Sequence, residues 1–249
     1  MHSKVMLITG ASRGIGAATA RLAAARGYAV CINFRQQQDA ATQLVAEIRA
    51  DGGEAFAIQA DISDENQVAE LFVQFDQQFS RLDVLVNNAG MLESQSRLEA
   101  IDGARLQRVF AANVYGSFYC ARQAIQRMSK RRGGNGGAII NLSSIAAKLG
   151  APEEYIDYAA AKGAIDSMTV GLAKELAADG IRVNAVRPGV IDTEIHASGG
   201  EPGRVERVSK SIPMQRGGQP EEIAEAILWL ASDAASYTSG ALLDVAGGR

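Results

Sequence analysis

At 249 residues, 47% of them hydrophobic, the chain is long enough to bury a full core, and one domain spanning residues 1–249 is expected. Its 25 basic and 28 acidic side chains leave a formal charge of −3, which argues against the strong basic field of a nucleic-acid or anionic-membrane binder. Cys31 and Cys120 lie far apart without a Cys-x2-Cys pair, and the two histidines, His2 and His196, are too few for a His-rich zinc site, so no metal site is expected.

The first predicted element is an apolar strand over 5–9, followed by a glycine turn and an Ala- and Leu-rich helix over 15–26 that ends at Gly27. Gly10, Gly14 and Gly16 fall between strand and helix. There Gly10 permits a tight turn, Gly14 a close backbone approach to a pyrophosphate, and Gly16 close packing of helix on strand. The helix N-terminus adds N–H donors and the positive end of a dipole. The stretch therefore predicts a dinucleotide site, with an ordinary βα turn as the other reading. Residues 1–4 lead straight into the strand and no 18-residue apolar span occurs, so a cytoplasmic location with reduced thiols is expected.

Further strand-like runs at 29–34, 54–60, 83–87, 138–143, 182–186 and 241–245 alternate with helical segments. Seven βα steps predict an α/β Rossmann fold: a doubly wound, seven-stranded parallel sheet with helices on both faces and the strand C-termini gathered along one edge. Strand two ends at Phe34-Arg35, where many NAD enzymes place an acid for the ribose hydroxyls. Strand three ends at Asp61-Ile62, and Asp61 also suits a turn or helix start. Strand four runs into Asn87-Asn88-Ala89-Gly90, whose small residues let backbone pass close to a ligand. A helix over about 104–130 carries Asn113, a weak helix former, and the patch 133–137 reads as a flexible surface loop.

Strand five ends in Asn141-Leu142-Ser143-Ser144, and a loop then leads to Tyr158-Ala-Ala-Ala-Lys162. Residues four apart share a helix face, so the Lys162 ammonium is expected near the Tyr158 phenol, where its charge favours phenolate. Moving a tyrosine from its free pKa of ~10 to neutrality takes roughly 3 to 4 kcal/mol. Tyr155 has Ala159 four residues on and reads as a pocket wall. Strand six leads to Pro188-Gly189-Val190-Ile191-Asp192-Thr193. The segment at about 194–213, with His196 and several glycines, has the length and composition of a mobile substrate lid. Pro220 opens a helix with Glu221 and Glu222 in its first turn, and Trp229 is expected to pack on its apolar side.

With the glycines at Gly-x3-Gly-x-Gly, and with Asn87 to Gly90, Asn113, Ser144, Tyr158, Lys162 and Pro188-Gly189 in order, essentially the whole chain resembles the short-chain dehydrogenase/reductase family. The resemblance implies an NADP(H)-dependent oxidoreductase that interconverts a small-molecule carbonyl and a secondary alcohol. In it Tyr158 is the general acid/base and Ser144 hydrogen-bonds the carbonyl oxygen, with Ser143 the adjacent alternative. Lys162 lowers the tyrosine pKa and holds the nicotinamide ribose, and Asn113 holds a helix irregularity and supports a proton relay. The implied cofactor contacts are Gly10, Ser12, Arg13, Gly14, Ile15, Gly16, Phe34, Arg35, Asp61, Ile62, Asn88, Ala89, Gly90, Tyr158, Lys162, Pro188, Gly189, Ile191 and Thr193.

NADPH is expected over NADH, because Phe34 offers nothing to the ribose hydroxyls while Arg35 and Arg13 can take a 2′-phosphate. A homotetramer is implied, with the helices around Asn113 and Tyr158 packed against symmetry mates and Ala159 to Ala161 small enough for close approach. The Tyr-Ala-Ala-Ala-Lys wording is similar to 3-oxoacyl-carrier-protein reductases, and Asn33-Phe34-Arg35 to glucose-dehydrogenase-type members. Asp179 stands where the carrier-protein reductases tend to have a basic docking residue, which implies repulsion of an acidic carrier. Glu153, Glu154, Glu194 and His196 near the inferred mouth imply a small polar carbonyl rather than a long acyl chain. Two rivals remain: a non-catalytic dinucleotide sensor, against which the intact tetrad argues, and the extended epimerases and dehydratases, whose larger C-terminal domain this length leaves no room for.

Overall fold

Every residue of β1 (Val5–Ile8) and β2 (Ala29–Phe34) is buried, the pattern of strands covered by helices on both faces. Met6, Ile8, Val30, Ile32 and Phe34 enter one apolar layer and Val5, Leu7, Ala29 and Cys31 the other, as the two-residue period of a strand requires. The structure, a computed structural model, describes residues 3–249, and His2 lies outside the described residues.

The chain alternates β1, α1 (Gly14–Ala25), β2, α2 (Gln38–Ala50), β3 (Glu54–Gln59), α3 (Glu65–Gln78), β4 (Val84–Asn87), α4 (Gly103–Phe110) and α5 (Gly116–Met128). It continues through β5 (Gly137–Leu142), α6 (Ala146–Leu149), α7 (Ile156–Glu175), β6 (Ile181–Pro188), α8 (Ile195–Ser198), α9 (Arg204–Ser209), α10 (Pro220–Ala231) and β7 (Leu242–Val245). The strands form one parallel sheet in the order β3-β2-β1-β4-β5-β6-β7. Side chains of α1, α2 and α10 fill one face and those of α3, α5 and α7 the other. The order reverses between β1 and β4, and such a switch point opens a crevice at the strand C-termini.

Local chemistry sets the helix starts. Asp64 caps α3 by accepting from the amides of Asn66 (2.8 Å) and Gln67 (3.2 Å). Pro220 opens α10 as expected, with Gln219 and Glu222 forming a reciprocal capping box. Among the described residues no helix is long and apolar enough to cross a membrane.

The helix expected over about 104–130 runs over 103–128 as α4 and α5 joined by a π-turn, Ala111–Tyr115, and three other expectations need correction. Asn113 at its centre donates through Nδ2 to the Val109 carbonyl (2.9 Å), the group its own amide would bond in an unbroken α-helix. The patch 133–137 is a tight return rather than a flexible loop: the amides of Gly134 and Gly136 donate to Ser129 (2.9 Å) and Met128 (2.7 Å), and Gly137 already opens β5. Trp229 is 43% exposed, because Ile223, Ile227, Leu228 and Leu230 take the buried side of α10. The Asp179 side chain is only 4% exposed, accepting from Ser129 Oγ (2.8 Å) and paired with Arg131, which is 68% exposed. That corner thus presents an arginine to solvent, and the expected repulsion of an acidic carrier loses its basis.

Candidate active site

The strand C-termini open into a cleft of about 610 Å³ that runs from Arg35 and Asp61 at one end to Tyr158, Lys162 and the 194–211 segment at the other. Its floor is the glycine turn. Gly10 and Gly14 have φ of 61° and 54°, the left-handed region that side chains resist, and a Cβ on Gly10 would stand 2.9 Å from Ala89. Thr9 Oγ1 accepts from the amides of Asn88 and Ala89 (both 3.0 Å), while Asn88 Nδ2 donates to the carbonyls of Thr9 (2.8 Å) and Gly10 (3.0 Å). The Asn87-Asn88-Ala89-Gly90 stretch therefore ties β4 to β1 across the switch point. No side chain caps the N-terminus of α1, so its first amides remain available to an anion.

Of the expected cofactor residues, Gly10, Ser12, Arg13, Gly14, Ile15, Arg35, Asp61, Ile62, Asn88, Ala89, Gly90, Tyr158, Lys162, Pro188, Gly189, Ile191 and Thr193 line this cleft. Phe34 and Gly16 do not. Phe34 shares the side of β2 taken by Val30 and Ile32 and is buried in the α1, α2 and α10 layer. Gly16 acts in packing: a Cβ there would lie 2.6 Å from Asn88 Nδ2. Arg13 turns toward α8, donating to Ser198 Oγ (3.1 Å), whereas Arg35 sits 3.7 Å from Asp61 in a loose, exposed pair. Asp61 is both turn residue and cleft wall, accepting from the Ser63 amide (3.0 Å) and hydroxyl (2.7 Å).

At the other end, α7 brings Tyr158 and Lys162 together, the Lys162 Nζ lying 5.5 Å from the Tyr158 ring centroid. Lys162 is buried and donates to the Leu142 carbonyl (2.7 Å) at the end of β5. Asn113 Oδ1 accepts from the Met91 amide and Nδ2 donates to the Met91 carbonyl (both 3.1 Å). Gly90 lies between these groups: a Cβ there would be 2.7 Å from Asn113 Oδ1 and 3.5 Å from Lys162 Nζ. The two serines separate by partner. Ser143 Oγ donates to the Lys162 carbonyl (3.1 Å), while the Ser144 hydroxyl accepts from the Ala146 amide (3.1 Å) and stands near enough to the Tyr158 phenol to pull its pKa down.

The first turn of α7 is clamped from outside. The buried Arg105 on α4 donates through Nε to Asp157 Oδ2 (2.7 Å) and through Nη1 to the Ser94 carbonyl (2.7 Å), and Asp157 Oδ1 accepts from the Tyr158 amide (2.9 Å). Burial sets the ionisation here. It pushes the Tyr158 phenol up to about 12, against the pull of the Ser144 hydrogen bond, and brings Lys162 down to about 8. Burial is thus the largest influence on the phenol and on the ammonium that the spacing brings beside it.

A family profile described as Enoyl-(Acyl carrier protein) reductase matches residues 10–249. The fold superposes on a short-chain dehydrogenase/reductase of Serratia marcescens with a TM-score of 0.91 and 33% identity, covering 98% of this chain and 97% of that one. The chain belongs to the short-chain dehydrogenase/reductase family. It is 57% identical over 245 residues to an uncharacterized oxidoreductase, YgfF, of Escherichia coli, covering 98% of this chain and 99% of that protein. A blue fluorescent protein from a metagenomic library, solved in complex with NADPH, superposes with a TM-score of 0.90 and 36% identity over 98% of this chain and 97% of that one. The protein is thus an oxidoreductase of an NAD(P)-binding family that acts on small molecules.

This short-chain dehydrogenase/reductase also uses residues that sequence reasoning passed over. Asn33 accepts from the Gly10 amide (3.3 Å) and donates to the Ala60 carbonyl (3.1 Å), joining the ends of β1, β2 and β3. The available signal was one polar residue in an otherwise apolar strand. Over the substrate end, Arg204 and Arg207 both hold Glu154 (2.5 and 2.9 Å), and Gln95 reaches Glu201 (2.5 Å). Glu153 is paired with Arg97 (2.9 Å), so two of the acids named near the inferred mouth, Glu153 and Glu154, are matched by arginines.

Proposed function

We propose that the protein reduces a ketone or aldehyde to an alcohol at the expense of NADPH and catalyses the reverse oxidation. The observation that carries this reading is the meeting of Tyr158, Ser144 and Lys162 at one end of a cleft whose other end holds Arg35. The glycine turn fits a dinucleotide: left-handed residues at Gly10 and Gly14, a Cβ on the latter lying 3.3 Å from Thr193, and uncapped amides opening α1. The nicotinamide, when bound, supplies or accepts the hydride.

Tyr158, protonated across the neutral range, donates its phenolic proton to the carbonyl oxygen, which Ser144 orients. Lys162 holds positive charge beside the phenol and offers N–H donors to the cleft. Asn113 secures the π-turn and the Met91 backbone behind them. Arg35, paired only loosely with Asp61, favours a 2′-phosphate, and Arg13 can add to it by leaving Ser198. The exposed aromatic side chains of Tyr115 and Phe118 support the homotetramer, and the buried thiols of Cys31 and Cys120 suit the reducing cytoplasm. The test is cofactor absorbance during incubation with NADPH and a panel of ketones, sugars and acyl thioesters, in wild type and Tyr158→Phe. Wild type should turn over, and the variant should bind NADPH while losing about 10² to 10⁴ in rate. Turnover near wild type in the variant would refute the assignment, and its loss everywhere in wild type would favour the sensor.

A further inference from the structure

We propose that the substrate carries a hydroxyl group besides its reacting carbonyl, recognised by Tyr155 and His196 beneath the lid. The inference rests on the carbonyl-reductase reading above and names the class of compound it serves.

Tyr155 stands three residues before Tyr158, lines the cleft and is 3% exposed, yet its Oη has no hydrogen-bond partner. His196 on α8 also lines the cleft and is buried. Its Nε2 lies 2.9 Å from the Ile191 carbonyl. A carbonyl only accepts, so Nε2 carries the proton and Nδ1 is left as a lone-pair acceptor. That Nδ1 is buried without a partner as well. Buried polar atoms are nearly always bonded, so two orphans on two cleft-lining residues call for a ligand group.

Arg204 joins the pair. Its guanidinium lies 4.8 Å from the Tyr155 ring centroid, and burial, together with its charge, pushes the His196 imidazole below its ordinary range. Arg204 and Arg207 are themselves matched by Glu154 and Glu201, two cations against two anions. What remains is one neutral acceptor and one neutral hydroxyl. A substrate hydroxyl complements both, because it donates to Nδ1 and accepts from Oη. A carboxylate has no proton for Nδ1, and an acyl chain satisfies neither. The geometry thus selects a hydroxy ketone or hydroxy aldehyde, and in the oxidative direction a diol.

The experiment compares kcat/KM for 1-hydroxy-2-butanone and 2-butanone with NADPH and with NADH, alongside pyruvate and an acetoacetyl thioester. The ratio for the matched pair is then measured in Tyr155→Phe and, independently, in His196→Leu, so that either variant suffices if the other does not fold. Comparing ratios cancels both intrinsic ketone reactivity and general damage to the enzyme. The expected result is a wild-type preference for the hydroxy ketone that falls by about tenfold or more in the variants. An unchanged ratio in the folded variants, or better use of pyruvate or the thioester than of the hydroxy ketone, would overturn the proposal. Failure of every carbonyl compound to oxidise either cofactor is a different result: it overturns the reductase reading and takes this inference with it.

Discussion

At the glycine-turn end of the cleft, backbone carries the geometry: left-handed glycines, the Thr9 and Asn88 bonds between β1 and β4, and the free amides of α1. At the Tyr158 end, long side chains carry it, with Glu154 gripped by Arg204 and Arg207 from 50 and 53 residues away. Backbone held in a sheet has few ways to relax, whereas paired surface charges exchange partners with water at little cost. The first end should therefore respond to substitution in an all-or-none way and the second by degrees.

The sharpest contrast lies between two adjacent serines. Ser144→Ala should lower kcat/KM by about 10²-fold or more, as loss of a donor to the developing oxyanion does, while Ser143→Ala, which loses only a bond to the Lys162 backbone, should cost far less. The reverse order in steady-state kinetics would mean that the loop has been read one residue out of place. Next in size is the effect of pH. Lys162 is brought down to about 8 by burial, so its charge is present below that pH and lost above it, while Tyr158 at about 12 stays protonated throughout. Reduction should then fall about tenfold between pH 7 and 9 as one proton leaves. A flat profile to pH 10 would show that the charge is not needed.

Arg35→Ala should shift the ratio of NADPH to NADH efficiencies toward NADH by about tenfold, since a charge-assisted hydrogen bond contributes about 1.5 to 3 kcal/mol. An unchanged ratio would remove Arg35 from the phosphate and leave its pairing with Asp61 as its only role. The smallest effect belongs to the ion pairs over the Tyr158 end. Glu154→Gln breaks two ion pairs that together contribute about 1 kcal/mol at most, so KM should rise by no more than about fivefold, and by less in high salt. A loss as large as that of Ser144→Ala would erase the distinction between the two ends.

Much of the fold was legible because strands buried on both faces must be apolar along their whole length, and all seven runs emerged as strands within a few residues. The glycine turn was legible for a related reason: only glycine tolerates left-handed backbone so close to Ala89. Phe34 lies outside the cleft because strand alternation sends that side chain into the helix layer and leaves Asn33 to join three strands, which its place at a strand end does not reveal. Asp179 and Trp229 were misread for want of their neighbours: nothing near Asp179 in sequence implied that Arg131 and Ser129 would cover it, and the apolar side of α10 was filled before Trp229 could join it.

The sequence by itself determined the alternation of strands and helices, the glycine turn and the Tyr158–Lys162 spacing, because each depends on residues within one turn or one strand of each other. Tertiary structure alone decided which serine lies near the phenol, how Arg105 clamps Asp157, which way Arg13 points and how the 194–211 segment is tied to Glu154. Those contacts join residues remote along the chain, and their energies depend on burial and on partners that exist only once the sheet has brought its C-terminal edge together.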